Sequence, residues 1–196
     1  MAAEPLALLP AGAAELTAFR WSNYDVPFWA RANSRDGRWN YAGVDSTQYW
    51  ALTPGAAWAE LIRHENLQTE EELDLVRMPL WVCRIPTVML IDLRLAAERE
   101  RHEVRVDDLI DDDWTVCQEL AVALREQTRG VIAPCAAMPS HANITLFGRR
   151  RAIDWESRPA LASALPTSHA AIGRPPDGLI PHVRRPAPAP PGDRLF

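Results

Sequence analysis

The chain has 196 residues, a formal net charge of −5, 47% hydrophobic and 24% charged residues, the balance of a globular protein able to bury a substantial core. All 21 basic residues are arginine, which removes a Schiff-base lysine from the available mechanisms, and the acidic balance argues against non-specific nucleic-acid binding. Cys83, Cys117 and Cys135 are odd in number and far apart, with no Cys-x-x-Cys pair, which argues against a disulfide framework or a structural zinc site.

Residues 1–15 carry little pattern. Their Ala/Leu-rich start includes Glu4 and no basic region, unlike a signal peptide, and no later run approaches the roughly 20 apolar residues of a membrane span; a cytoplasmic protein is expected. Residues 16–21 (LTAFRW) alternate as a first strand with Arg20 embedded in it. From 22 to 36, Tyr24, Phe28 and Trp29 stand among polar residues, a loop that either folds onto the core or packs over a partner. Residues 48–52 read as a short strand. Thr53-Pro54 then signals a helix start, a cap oxygen followed by proline at the first helical position. In that helix Trp58, Leu61 and Ile62 share one face by the 3.6-residue period. Glu60 points nearly opposite, among Ala56, Ala57 and Ala59, small neighbours that leave room for a ligand or another segment.

Residues 66–76 read as an acidic connector with a short helix. Residues 79–85 and 88–93 are β-branched and apolar, two strands interrupted at Pro86. The stretch 96–113 is highly charged and ends in Asp111, Asp112 and Asp113. These acids precede an apolar-periodic helix over 114–127, closed by Arg129-Gly130, so capping and solvation account for them better than a metal site. A short apolar segment over 131–133 leads to Pro134-Cys135-Ala136, a polar turn and a last strand over 143–147 (NITLF). Beyond 156 the composition changes: nine of the 17 prolines fall in 157–196, so this tail is expected to be extended or disordered, at most draped over the domain. Mixed strands with helices between them and no Gly-rich phosphate loop point to one α+β domain over 16–156, not a Rossmann or P-loop fold.

The residues with chemistry cluster between 37 and 60. Arg38, in Gly37-Arg38-Trp39-Asn40, offers a planar fork suited to a pyrophosphate, or is a structural arginine stacked on Trp39 or paired with an acid. Tyr49 is either core or a face for a heteroaromatic ring. Glu60 is either a solvated helix residue or a carboxylate that stabilises an oxocarbenium-like transition state; its i+4 position is His64, which does not claim it. Cys135 has no base at a supporting spacing and reads as lining or packing.

Together, Phe19-Arg20, Gly37-Arg38-Trp39-Asn40 with Gly43, Tyr49, Ala57-Trp58-Ala59-Glu60-Leu61, Gly130-Val131-Ile132-Ala133-Pro134 and Asn143-Ile144-Thr145-Leu146-Phe147 resemble the RES domain, over about residues 16 to 155. The resemblance implies an ADP-ribosyltransferase-like fold, a split and curved β-sheet with flanking helices around an NAD cleft. It implies a bacterial toxin that degrades NAD at the nicotinamide–ribose bond, as a glycohydrolase or a phosphorylase, neutralised by an Xre-type helix-turn-helix antitoxin. NAD would be the substrate and inorganic phosphate a possible co-substrate, with no cofactor or metal and no direct nucleic-acid or membrane partner. Some members instead transfer ADP-ribose to a protein, and a catalytically impaired nucleotide-binding module is the other alternative. Carried over, Glu60 would stabilise the ribosyl cation, Arg20 and Arg38 hold the pyrophosphate or ribose side, and Tyr49 pack on the nicotinamide ring, with Asn40 and Cys135 completing the substrate contacts. The departure lies at Pro134-Cys135-Ala136, where the family usually has Pro-Ser-Ala: Cys135 covers the serine's role weakly, Ser140 substitutes, or activity is reduced.

Overall fold

The computed structural model describes residues 15–22, 27, 31–44, 46–86, 90–148 and 169–187. In chain order these form β1 (Glu15–Trp21), β2 (Thr47–Ala51), α1 (Pro54–His64), α2 (Glu70–Leu75), β3 (Met78–Pro86), β4 (Leu90–Asp92), α3 (Ala96–Arg101), α4 (Val106–Ile110), α5 (Thr115–Leu124), β5 (Gly130–Pro134), β6 (Ala142–Phe147) and β7 (His169–Gly173). No helix among the described residues is long and apolar enough to cross a membrane. The aromatic positions Tyr24, Phe28 and Trp29 lie outside the described residues.

All seven strands share one sheet in the order β4-β5-β6-β2-β1-β3-β7. Every pairing is antiparallel except β4 with β5. The seam between β2 and β1 is minimal: they share one register pair, Phe19 with Ala51, whereas β1 follows β3 from Glu15–Pro86 to Trp21–Leu80. The sheet is thus split into a β4-β5-β6-β2 leaf and a β1-β3-β7 leaf. The expected α+β class with a split sheet matches this architecture.

Side chains alternate across a strand, and the alternation sorts the core onto the two faces. On one face Phe19, Trp21 and Ala51 pack with Ala56, Trp58 and Ile62 of α1. Further along that face Tyr49, Val131, Ala133 and Phe147 pack with Leu109, Cys117, Ala121 and Leu124 of α4 and α5. The opposite face gathers Leu16, Ala18, Trp50, Cys83, Ile132, Ile144 and Leu146. Thr53 caps α1, its Oγ1 accepting from the Ala56 amide at 3.1 Å, a contact worth about 1 kcal/mol to the helix start.

Two stretches carry more structure than their composition announces. The charged segment before α5 contains α3 and α4. Its apolar residues are few, but Leu109 is fully buried and Val104 nearly so, and such anchors outweigh local polarity. The tail is neither wholly extended nor outside the core. Residues 169–173 form β7 against β3, and Leu179 and Val183 are buried beside α1. Past β7 the chain is tied down by arginines: the Arg63 guanidinium donates to the Arg184 carbonyl at 2.6 Å, and Arg184 donates to the Ile110 carbonyl at 2.7 Å. Asp112 joins them, accepting from Arg63, from Arg184 at 3.3 Å and from the Ala187 amide at 2.6 Å. Partial burial pushes the Asp112 carboxyl up, yet the Ala187 amide and the two guanidiniums outweigh it and hold the carboxyl below its ordinary range. The three consecutive aspartates therefore have separate structural tasks: Asp113 accepts from the Thr115 amide at the start of α5 at 2.9 Å, and Asp111 accepts from the Asp113 amide at 3.1 Å.

Candidate active site

Glu60 lies midway along α1, on a helix whose Ala56, Ala57 and Ala59 are buried. Those small side chains let the helix settle close to the sheet, and two residues from the β5–β6 corner reach the carboxylate. The Cys135 thiol donates to Glu60 Oε1 at 3.1 Å, and Asn143 Nδ2 donates to the same oxygen at 2.8 Å. Among the described residues no hydrogen bond engages Oε2. The carboxylate is gripped by one oxygen and presents the other, and Glu60 keeps partial solvent exposure.

Cys135 is fully buried. Its loop is closed by its own amide donating to the His141 carbonyl at 2.9 Å and by the His141 amide donating to the Met138 carbonyl at 2.8 Å. Burial, then the Glu60 charge, pushes the Cys135 thiol well above its ordinary range. The thiol therefore stays protonated, a donor and not a nucleophile. Ser140 does not substitute for it: that side chain is exposed and pairs with His141 Nδ1 at 3.1 Å.

A second cluster lies on the same face. Tyr49 OH donates to Asn40 Oδ1 at 2.7 Å and accepts from the Trp39 amide at 3.0 Å; burial raises its phenol above the ordinary range. Asn40 is held in turn through Nδ2 to the Arg35 carbonyl at 2.9 Å. Gly37 is needed for this approach, because a Cβ there would meet Asn40 Oδ1 and Tyr49 OH at 2.7 Å each. Arg38 uses Nη1 to reach the carbonyls of Leu109 at 3.2 Å and Asp111 at 2.5 Å, the end of α4 where unpaired carbonyls favour a cation. Arg125, which sequence reasoning did not single out, locks this cluster to the sheet: it donates to the Trp39 carbonyl at 3.0 Å and to Thr47 Oγ1 at 2.7 Å, and covers the Phe147 ring at 4.8 Å.

The two clusters are joined by strand register. Tyr49 opposes Thr145 and Ala51 opposes Asn143, so Tyr49 and the Glu60 partner stand two residues apart on one face, about 7 Å of strand. Arg20 is not brought to either. It alternates with Phe19 and Trp21 and so projects to the other face, where it donates to the Pro27 carbonyl at 3.0 Å and to Gln48 Oε1 at 3.4 Å and stands over the Trp50 ring at 5.9 Å. Its position next to Phe19, the residue at the seam, sets it beside the split. Asn143 is the contact that sequence reasoning missed. It was legible only as part of the last strand, and nothing local links it to a carboxylate 83 positions earlier.

A protein named "Probable NAD(+) phosphorylase", of Mycobacterium tuberculosis (strain ATCC 25618 / H37Rv), is 32% identical over 113 residues, 57% of this chain and 53% of that protein. The chain thus aligns with about half the length of that relative. Among solved structures, a chain of the M. tuberculosis MbcT–MbcA toxin–antitoxin complex superposes with a TM-score of 0.64 at 21% identity, covering 82% of this chain and 85% of that one; the two share a fold. The family model for the RES domain matches residues 13–166, most of the chain, and includes every residue of both clusters: the chain belongs to the RES domain family.

Proposed function

We propose that this protein cleaves the bond between nicotinamide and ribose in NAD, passing the ADP-ribosyl group to inorganic phosphate or to water. The observation that carries the reading is the Glu60 carboxylate, with Oε1 fixed by Cys135 and Asn143 and Oε2 left to face a ligand. The leaving group suits such a site. The pyridine nitrogen of NAD is already cationic, so when the carbon–nitrogen bond breaks its electron pair neutralises that nitrogen and nicotinamide departs without a proton. The barrier lies in the positive charge left on the ribose, and a preorganised carboxylate stabilises that charge in the transition state. A phosphate oxygen then bonds to the anomeric carbon and gives ADP-ribose 1-phosphate; water as acceptor must shed a proton and gives ADP-ribose. Tyr49 and Asn40 form the wall along which the nicotinamide half lies, and Arg38 supplies the cation for the pyrophosphate. The mycobacterial phosphorylase similarity favours phosphate as the acceptor.

Removal of NAD arrests growth, so the protein acts as a toxin, held in check by an antitoxin that covers the cleft; the fold shared with a chain of a toxin–antitoxin complex supports this partnership. A helix-turn-helix protein of the Xre type is the partner to seek. The test is nicotinamide release from NAD by the purified protein, with and without phosphate, beside Glu60→Gln. The variant keeps an oxygen for both donors and loses the charge, so the rate is expected to fall about 10²- to 10³-fold, the effect of removing one preorganised electrostatic stabiliser. Wild-type protein that leaves NAD intact in both buffers, or a Glu60→Gln protein as active as wild type, overturns the reading.

A further inference from the structure

We infer that Asn143 is a substrate-contacting residue, whose side-chain oxygen accepts a hydrogen bond from the nicotinamide-riboside half of the ligand. The inference rests on the NAD-cleaving reading above and adds a contact to it. A carboxylate only accepts hydrogen bonds, so Asn143 must turn its NH₂ group toward Glu60, and the 2.8 Å contact fixes that orientation. Its Oδ1 then faces away from Glu60, buried and, among the described residues, with no hydrogen-bond donor.

Two asparagines of the loop before β2 are paired at both ends of the amide. Asn33 gives Nδ2 to the Thr47 carbonyl at 3.2 Å and takes the Thr47 amide on Oδ1 at 2.6 Å. Asn40 gives to Arg35 at 2.9 Å and takes the Tyr49 hydroxyl at 2.7 Å. Buried acceptors are rarely left unmade, and such an orphan calls for an explanation. Its surroundings are small. Across the sheet Asn143 is flanked by the small, buried side chains of Ala51 on β2 and Ala133 on β5, neither of which carries a donor for the amide oxygen. One end of Asn143 thus holds the carboxylate and the other is reserved for a donor that arrives with the ligand. NAD carries two kinds of donor within reach of a carboxylate at its ribose: the carboxamide N–H and the ribose hydroxyls.

Asn143→Ala is to be compared with wild type on three substrates: NAD, nicotinic acid adenine dinucleotide, whose carboxylate has no N–H, and an NAD analogue lacking the 2-hydroxyl of the nicotinamide ribose. The expected result is a fall in kcat/KM for NAD of about tenfold or more, the loss that follows one missing substrate hydrogen bond, together with a collapsed preference for NAD over one analogue. Collapse against the acid analogue identifies the carboxamide as the donor; collapse against the deoxy analogue identifies the hydroxyl. Asn143→Thr, a β-branched residue suited to a strand, keeps an acceptor and provides a second variant, with melting temperature followed for both. Equal losses on all three substrates would reduce Asn143 to a support for Glu60, and unchanged kinetics would remove it from the site; either outcome overturns the inference. Inactivity of wild-type protein on NAD is a separate result, since it strikes the reading beneath.

Discussion

Replacing Cys135 by serine is expected to improve the catalyst. The thiol lies 3.1 Å from Glu60 Oε1 and is fully buried. Because burial and then the Glu60 charge raise its pKa, it remains protonated through the working range and the serine hydroxyl would replace it donor for donor. A thiol is a weak donor, whereas a hydrogen bond to a charged group contributes about 1.5–3 kcal/mol. If the thiol provides about half of that, the exchange adds about 1 kcal/mol to the hold on the carboxylate. Expressed fully in the transition state, that is about a fivefold rise in kcat/KM. Cys135→Ala removes the donor and leaves a small void, so it is expected to lower kcat/KM by about tenfold and the melting temperature by a few degrees. The assay is nicotinamide release across NAD concentrations, beside thermal melts of all three proteins. Serine and alanine variants both within twofold of wild type would show that the Cys135–Glu60 contact has no part in catalysis.

Arg38→Ala is expected to raise the KM for NAD by about tenfold or more, the loss of a charge-assisted contact to the ligand. Arg20→Ala, on the other face and engaged with Pro27, Gln48 and Trp50, is expected to change KM by less than about threefold; equal losses in steady-state assays would mean that the ligand crosses the split and touches both. Gly37→Ala puts a methyl group 2.7 Å from Asn40 Oδ1 and Tyr49 OH, and is expected to destabilise by about 1–3 kcal/mol and to depress turnover; a chemical melt indistinguishable from wild type would refute that packing. Stability is expected to fall on the alkaline side. Burial pushes Cys117 up to about 11 from an ordinary 9.0, so between those values the folded chain keeps a proton that the unfolded chain has lost. The stabilisation is complete below the lower value and is lost as pH rises through the upper one, with Cys135 and Tyr49 shifted the same way. Cys117→Ala should flatten the fall in unfolding midpoint, and a slope identical to wild type would count against a buried thiol.

What was legible in the sequence is what neighbours in the chain decide. Thr53-Pro54 predicts the start of α1, and Thr53 caps it; the alternation of 16–21 predicts β1; the motif glycine at 37 sits where two polar atoms exclude a side chain. Glu60 stood out because alanines surround it, and the expectation that another segment could approach it is met by Cys135 and Asn143. The packing of residues 169–187 is illegible for the same reason: proline content describes local stiffness, whereas the anchoring of 174–187 comes from Arg63 and Asp112 far away in sequence.

The division of the arginines shows most clearly where local reading ends. Arg20 and Arg38 look equivalent in the sequence, each beside an aromatic residue and each a candidate for the pyrophosphate. Their difference is a matter of strand parity: Arg20 is one residue from Phe19, and one residue along a strand is the other side of the sheet. No property of the guanidinium reveals that, because it depends on which face α1 covers, and Phe19 rather than Arg20 joins the α1 core. Arg38 lies outside any strand, next to the isolated bridge between Gly37 and Asn40, so its direction is set by that turn and by the α4 carbonyls it meets. The same parity places Asn143 with Glu60 and turns Ile144 away from it. A site assembled on a sheet is therefore defined by register before it is defined by residue type, and register is settled only when the strands pair.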